Sequence, residues 1–219
     1  STIGGKDIWF DEDIQRLNED GRGLHLGQFN TGDHILAIFK DGTYYTTSFD
    51  MSNRYQGDLL KIEKLDLNKT YTALYYDKGV GSFYVKRFSF DISDNTAVSF
   101  ISEAKGSYLV ELSDDLHPQF EIIFGGKNVN RDPEKVDAEE FIAKKGLQAK
   151  GKKVSPFDVK SVAFVEPLVK EGDAPAASDE EPADGIHAGE NQAGEIDNSD
   201  VEDPLDLNID DDDAQLSLF

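Results

Sequence analysis

An all-β body of repeated hairpins followed by an acidic tail is the fold this sequence predicts, from three observations. Short runs of β-branched and aromatic residues recur over the first 170 residues, separated by turns containing Gly and Asp. No long segment shows the helical apolar period of 3.6 residues. From Glu171 the composition shifts abruptly to Pro, Ala, Gly, Asp and Glu, and aromatics vanish until the last residue.

The hairpins can be read in order. Ile35 to Phe39 is followed by Lys40-Asp41-Gly42 and then Thr43 to Phe49, two strands joined by Asp-Gly, the strongest short-range hairpin signal. Thr72 to Tyr76 leads through Asp77 to Gly81 into Ser82 to Phe90, and Ala97 to Ser102 leads through Glu103 to Gly106 into Ser107 to Leu112. A fourth run, Phe120 to Phe124, ends at Gly125-Gly126. β-Branched and aromatic residues suit a pleated, half-buried surface, while Gly and Asp supply the φ values that turns need. Asp132-Pro133 reads as a cap and first helical position, giving one helical turn, after which residues 140–145 read as a strand. Recurrence of this outline suggests radial repetition as in a propeller, with roughly four blades at about 40–45 residues each. A β-sandwich fits the same periodicity.

The net charge of -22 is unevenly placed. Residues 171–219 hold 17 acidic and no basic side chains, leaving 27 acidic and 22 basic in the first 170, a net of -5. Such a tail cannot bury enough apolar surface to offset its ordering entropy and is expected to be disordered. The absence of cysteine excludes disulfides and thiolate metal sites and points to a reducing compartment. Ser1 to Lys6 lacks a signal-peptide pattern, no apolar run reaches membrane-spanning length, and the start reads as a piece cut from a longer polypeptide.

Catalytic constellations are not evident. His25, His34, His117 and His187 stand alone in sequence, without zinc-site spacing or a nucleophile partner, and read as surface or turn residues. Gly21-Arg22-Gly23-Leu24-His25-Leu26-Gly27 imitates a phosphate loop, but its third glycine is misplaced and no helix follows, so it reads as a turn between strands. The adjacent carboxylates Glu139-Glu140 and Asp114-Asp115 read as solvated charge. More informative is the basic segment Lys144-Lys145-Gly146-Leu147-Gln148-Ala149-Lys150-Gly151-Lys152-Lys153. It could follow a phosphate backbone by charge, or it could be a sheet edge blunted by lysines.

The stretches Gly4 to Asp11, Arg16 to Gly23 and Phe49 to Tyr55, with the Lys144 to Val154 segment, resemble the C-terminal domain of bacterial type IIA topoisomerase A subunits. The nearest likeness is to topoisomerase IV and gyrase A-like subunits of Bacteroidetes type. The resemblance covers the body and implies a β-pinwheel over residues 1–170 whose basic rim binds and bends duplex DNA. It presents DNA to an ATP-dependent strand-passage core for decatenation or relaxation. The segment would be non-catalytic and hold no cofactor. The cleaving tyrosine would lie elsewhere in the A subunit, and ATP and Mg with the partner B subunit. Localisation would be cytoplasmic, with the nucleoid and no membrane. Arg16, Arg22, Arg54, Lys86, Arg87, Lys144, Lys145, Lys150, Lys152 and Lys153 are the expected DNA contacts. The chain departs from the family in seeming short for five or six blades and in lacking the Gln-(Arg/Lys)-Arg-Gly-Gly-(Arg/Lys)-Gly box of gyrases. The alternative is a propeller that serves as a protein-interaction scaffold and binds no DNA.

Residues 171–213 would be a tethered polyanion able to compete with DNA for the rim. Residues 214–219 end in Gln215-Leu216-Ser217-Leu218-Phe219, an apolar terminus that resembles the peptide by which bacterial replication proteins dock on the polymerase sliding clamp. Gln215 would offer its amide to a polar niche while Leu216, Leu218 and Phe219 fill an apolar cleft.

Overall fold

The computed structural model describes residues 4–173, which lie in one compact unit, Ser1–Ala174. The acidic segment beyond and the terminal peptide fall outside the described residues. Among the described residues, fourteen strands form four antiparallel sheets, here called blades. The first holds β1 (Lys6–Asp11), β2 (Arg16–Asn18) and β3 (Leu24–Phe29) in the order β2-β1-β3. The second is β6-β4-β5-β9, built from β4 (Ile35–Phe39), β5 (Thr43–Thr47), β6 (Leu59–Lys64) and β9 (Val98–Ser99). The third is β10-β7-β8-β13, from β7 (Tyr71–Asp77), β8 (Ser82–Phe88), β10 (Tyr108–Ser113) and β13 (Lys152–Lys153). The fourth is β12-β11-β14, from β11 (Gln119–Phe124), β12 (Glu134–Asp137) and β14 (Val159–Val165).

One wiring rule generates all four. Each blade opens with two adjacent antiparallel strands, and a later strand returns to pair with the first of them: β3 with β1, β6 with β4, β10 with β7, β14 with β11. Before that return, the chain steps back and lays a short segment on the second strand of the preceding blade. Arg54 bridges to Arg16 of β2, β9 pairs with β5, and β13 pairs with β8. Successive blades are thus stitched together, the exchange that defines a pinwheel.

The hairpins at 35–47 and 71–88 stand where the sequence places them, and Gly42 takes the turn position with φ of 83°. The third expected hairpin does not form. Val98–Ser99 belongs to the second blade and Tyr108–Ser113 to the third, because the wiring sends the two runs to different sheets. The helical turn is also displaced. Glu134–Asp137 is strand, and the turn, α1, covers Ala138–Phe141 with the Asp137 side chain accepting from the amides of Glu139 (2.8 Å) and Glu140 (3.4 Å). Residues 140–145 are not a strand: 140 and 141 belong to α1, and 142 to 145 are irregular and run into the basic segment.

Burial explains why β4 reads as one continuous apolar run. All five residues are buried, Ile35, Ala37 and Phe39 toward the first blade and Leu36 and Ile38 toward the third. Three core clusters lie between successive blades. Ile8, Phe10, Leu17 and Phe29 pack with Tyr55 and β4. Tyr44 packs with Tyr71, Phe88, Phe90 and Phe100. Leu74, Phe83 and Val85 pack with Phe120, Ile122 and Val162. A charged brace spans the second and third blades: Lys69 reaches Glu63 (2.8 Å) and Asp114 (2.5 Å), and Lys61 also meets Asp114. Burial alone would raise the Asp114 carboxyl, but hydrogen bonds from the two lysines hold it down to about 2.

Phe90 is the centre of the joint between blades two and three, its ring 4.6–5.3 Å from those of Tyr44, Tyr71, Phe88 and Phe100. Phe90→Ala should cost about 3–5 kcal/mol in a urea unfolding titration. Leu116→Ala, at a side chain 69% exposed, should stay within about 0.5 kcal/mol.

Candidate nucleic-acid interface

The basic segment is held to the third blade by its backbone, which leaves its lysines free to point elsewhere. The Lys145 amide donates to the Arg87 carbonyl (2.8 Å) and the Val154 amide to that of Phe83 (3.0 Å). The Tyr75 hydroxyl donates to the Lys150 carbonyl (2.6 Å), and the buried Leu147 side chain plugs into the core between blades two and three. Between these ties Lys152 and Lys153 pair with Val85 and Tyr84 of β8. Gly151 makes the approach possible. Its φ is +92°, and a Cβ there would run into the Val85 carbonyl oxygen and the Lys86 side chain. The segment is therefore a fixed strap.

Five of the ten expected contacts ride on this strap and are exposed: Lys144, Lys145, Lys150, Lys152 and Lys153. Two are aimed by aromatic rings, which sequence reasoning missed. Lys152 Nζ stands 3.8 Å from the centroid of Phe141, and Lys150 Nζ stands 4.9 Å from that of Tyr84 while pairing with the buried Asp77 at 2.8 Å. The hydrogen bond to Asp77 raises the Lys150 ammonium, so that charge is secured. Arg131 was also missed: exposed on the fourth blade, it stacks 3.9 Å from the centroid of Phe157, four residues beyond Lys153. No local sequence pattern announces these pairs, since the rings come from β8, α1 and the loop before β14.

Two expectations are corrected. Lys86 is 4% exposed and cannot reach the phosphate backbone of duplex DNA. Its Nζ donates to the carbonyls of Phe100 (2.9 Å) and Leu147 (2.6 Å), and it faces the Phe88 ring at 4.9 Å. Burial drives its amine down to about 8. Arg87 is half-buried and engaged, with Nη2 on Glu139 (3.0 Å). Both lie on β8 beneath the strap, where the spacing of charges along the chain cannot tell an inward lysine from an outward one. Arg16, Arg22 and Arg54 belong instead to the first blade and its joint with the second. Arg54 is exposed and bridges to Arg16 at the joint equivalent to the strap's, while Arg22 is exposed beside Asp20 (3.4 Å). The ten residues form two groups on blades one and three, not one cluster.

His117 is not solitary as its sequence context suggests. Its Nδ1 meets Glu139 Oε2 (2.5 Å) and its Nε2 meets Asp173 Oδ1 (3.0 Å), which together raise its pKa. Lys170 joins the group through Asp137 (2.9 Å) and Glu139 (3.0 Å). His25 has one partner, Asp7, at 2.9 Å. Among the described residues no group of three or more His, Asp or Glu side chains is arranged to hold a metal ion, and no helix is long and apolar enough to cross a membrane.

Residues 16–166 match the family model described as topoisomerase C-terminal domain, Bacteroidota. Among solved structures, one described as the C-terminal domain of DNA topoisomerase IV aligns with a TM-score of 0.42 and 12% identity, over 66% of this chain and 50% of that one. The chain thus spans half the length of that structure. No curated protein matches.

Gly151→Ala tests the strap without touching a charge. The positive φ and the Val85 carbonyl should together cost about 1–3 kcal/mol, and amide exchange at Lys145 and Val154 should quicken well before that of β7.

Proposed function

We propose, since the chain belongs to the topoisomerase C-terminal domain family of the Bacteroidota, that it is the non-catalytic DNA-binding domain of a type IIA topoisomerase A subunit. In this reading it holds and bends duplex DNA for an ATP-dependent strand-passage core, which works with an ATPase B subunit in the cytoplasm at the nucleoid. The observation that supports it is the strap: exposed lysines carried on a backbone fixed by hydrogen bonds and by the buried Leu147. Fixing the backbone in advance lowers the ordering entropy that a mobile basic loop would lose on binding. The body as a whole is mildly acidic, so attraction to DNA depends on where positive charge is concentrated and not on net charge. The contacts would be to phosphates, sequence-independent and salt-sensitive.

The acidic segment after Asp173 is read as a competitor for the same lysines. The exit of the folded body supports this. Asp173 holds His117, His117 holds Glu139, Glu139 holds Arg87, and the Arg87 carbonyl accepts from the Lys145 amide. Asp173, the last described residue, is therefore linked to the strap through three side chains, and tethering would give the segment that follows it an effective concentration on the order of millimolar.

Full-length chain and residues 1–173 should be titrated against labelled duplex DNA over a range of salt. Affinity should fall steeply with salt and be higher without the acidic segment. Reversing Lys144, Lys145 and Lys153 to Glu should reduce the salt slope by about 0.9 for each phosphate no longer neutralised. These three are chosen because Lys150 also neutralises the buried Asp77, so its reversal would disturb the fold. Absence of DNA binding by either form at low salt would leave the scaffold alternative in its place.

Gln215 to Phe219 is read as a sliding-clamp ligand, carried at the end of the acidic segment. Immobilised clamp should capture the full chain and lose it when residues 215–219 are deleted. Equal capture of both would remove this role from the peptide.

A further inference from the structure

Lys86 is buried, and among the described residues it has no carboxylate partner. Its two hydrogen bonds tie together segments that the wiring brings from opposite directions. Phe100 follows β9, the edge segment of the second blade, and Leu147 belongs to the strap. Beside Lys86 is a cavity of about 220 Å³, open on one side, walled by Tyr75, Asp77, Ser99, Ser102 and Lys150. The titratable groups that face it from the packed elements are Tyr75 and Asp77 of β7 and Lys150 of the strap, and Asp77 is already paired with Lys150.

The geometry decides which atom is available. A protonated lysine has three N–H donors, and two of these are taken by carbonyls. A neutral lysine has two N–H donors and one lone pair. Both donors then remain on the Phe100 and Leu147 carbonyls, so loss of the third proton breaks neither bond. The lone pair is left in the third tetrahedral direction.

From this arrangement we propose that Lys86 is a covalent modification site, an amine held ready to take an acyl group from a small acyl phosphate entering the cavity. The Nζ lone pair attacks the acyl carbon, a C–N bond forms, the C–O bond to phosphate breaks, inorganic phosphate leaves with the electron pair, and one Nζ proton passes to solvent. The cavity volume equals that of about seven waters at ~30 Å³ each, more than an acetyl group of three heavy atoms fills. The depressed amine supports the same reading. With a pKa of about 8 instead of 10.5, about a tenth of Lys86 is neutral at pH 7, against roughly one in three thousand for an ordinary lysine.

Acylation would reach the strap. An amide nitrogen keeps a single N–H, so either the Phe100 or the Leu147 carbonyl loses its donor and the strap is untied at one point. This consequence rests on the DNA-binding reading above; the modification itself does not.

The test is incubation of the full chain with acetyl phosphate between pH 6.5 and 9, with site occupancy followed by peptide mass spectrometry. At pH 7 Lys86 should be acetylated at least tenfold faster than the exposed Lys145 and Lys153, at a rate that climbs to about pH 8 and then levels. In urea that preference should vanish, because it belongs to the fold. Acetylation of Lys145 and Lys153 with Lys86 untouched, in protein whose circular dichroism is native, would overturn the proposal. Equal rates at all three would overturn it as well. DNA affinity of the acetylated chain should drop several-fold, and Lys86→Arg, which cannot be acetylated at that position, should keep its affinity under the same treatment. Selective acetylation with unchanged affinity would leave the site standing and remove only its link to the strap.

Discussion

The exchange of edge segments between blades is the constraint on which the rest of this structure depends. Arg54, Val98–Ser99 and Lys152–Lys153 each complete a sheet that the chain began before building the next blade. None of the first three blades is finished on its own, so the body gains stability by stacking and stitching more than by the strength of any single hairpin. The consequence for function is direct. The one strongly basic stretch of the chain is such an edge segment, so its position is set by the sheet it completes and by the core it plugs.

Electrostatics in this body is a matter of placement. Its net charge is negative, yet the lysines of the strap are exposed while much of the acidic charge is occupied in local pairs. Asp77 is neutralised by Lys150, Asp114 by Lys61 and Lys69, and Glu139 by Arg87, His117 and Lys170. Each pair sets a cation against a carboxylate and cancels locally, so it leaves the net charge of the body unchanged and the field at the strap to the lysines it exposes. The same pairs brace the joints between blades, so a surface suited to anions and a stable fold draw on the same side chains. Lys86 is the exception. Among the described residues no carboxylate meets it, and carbonyl dipoles and the Phe88 ring are what its charge faces.

The repeat was legible where a central strand is a short apolar run ended by Asp-Gly or Gly-Gly, as at β4 and β11, because those signals are local. The run from Ala97 to Leu112 looks the same locally and is not a hairpin, since its two halves serve different sheets. The helical turn lies further along the chain than its local signal because Asp137, and not Asp132, provides the cap. Among the candidate contacts, the strap lysines were evident from composition. Arg131 was not, because its aromatic partner Phe157 is 26 residues away in the chain.

By itself the sequence determined an all-β body of about four repeats, a segregated polyanion, a basic segment and an apolar terminus, since each depends on composition or near-neighbour spacing. Only the tertiary structure decided which edge each short strand joins, and thereby which charges are surface and which are structure. Lys86 and Lys152 look alike in the chain. One is buried and donates to two carbonyls, and the other stands over Phe141 with its side chain exposed. The difference is made by segments brought to Lys86 from 14 and 61 residues away, a separation that no local pattern encodes.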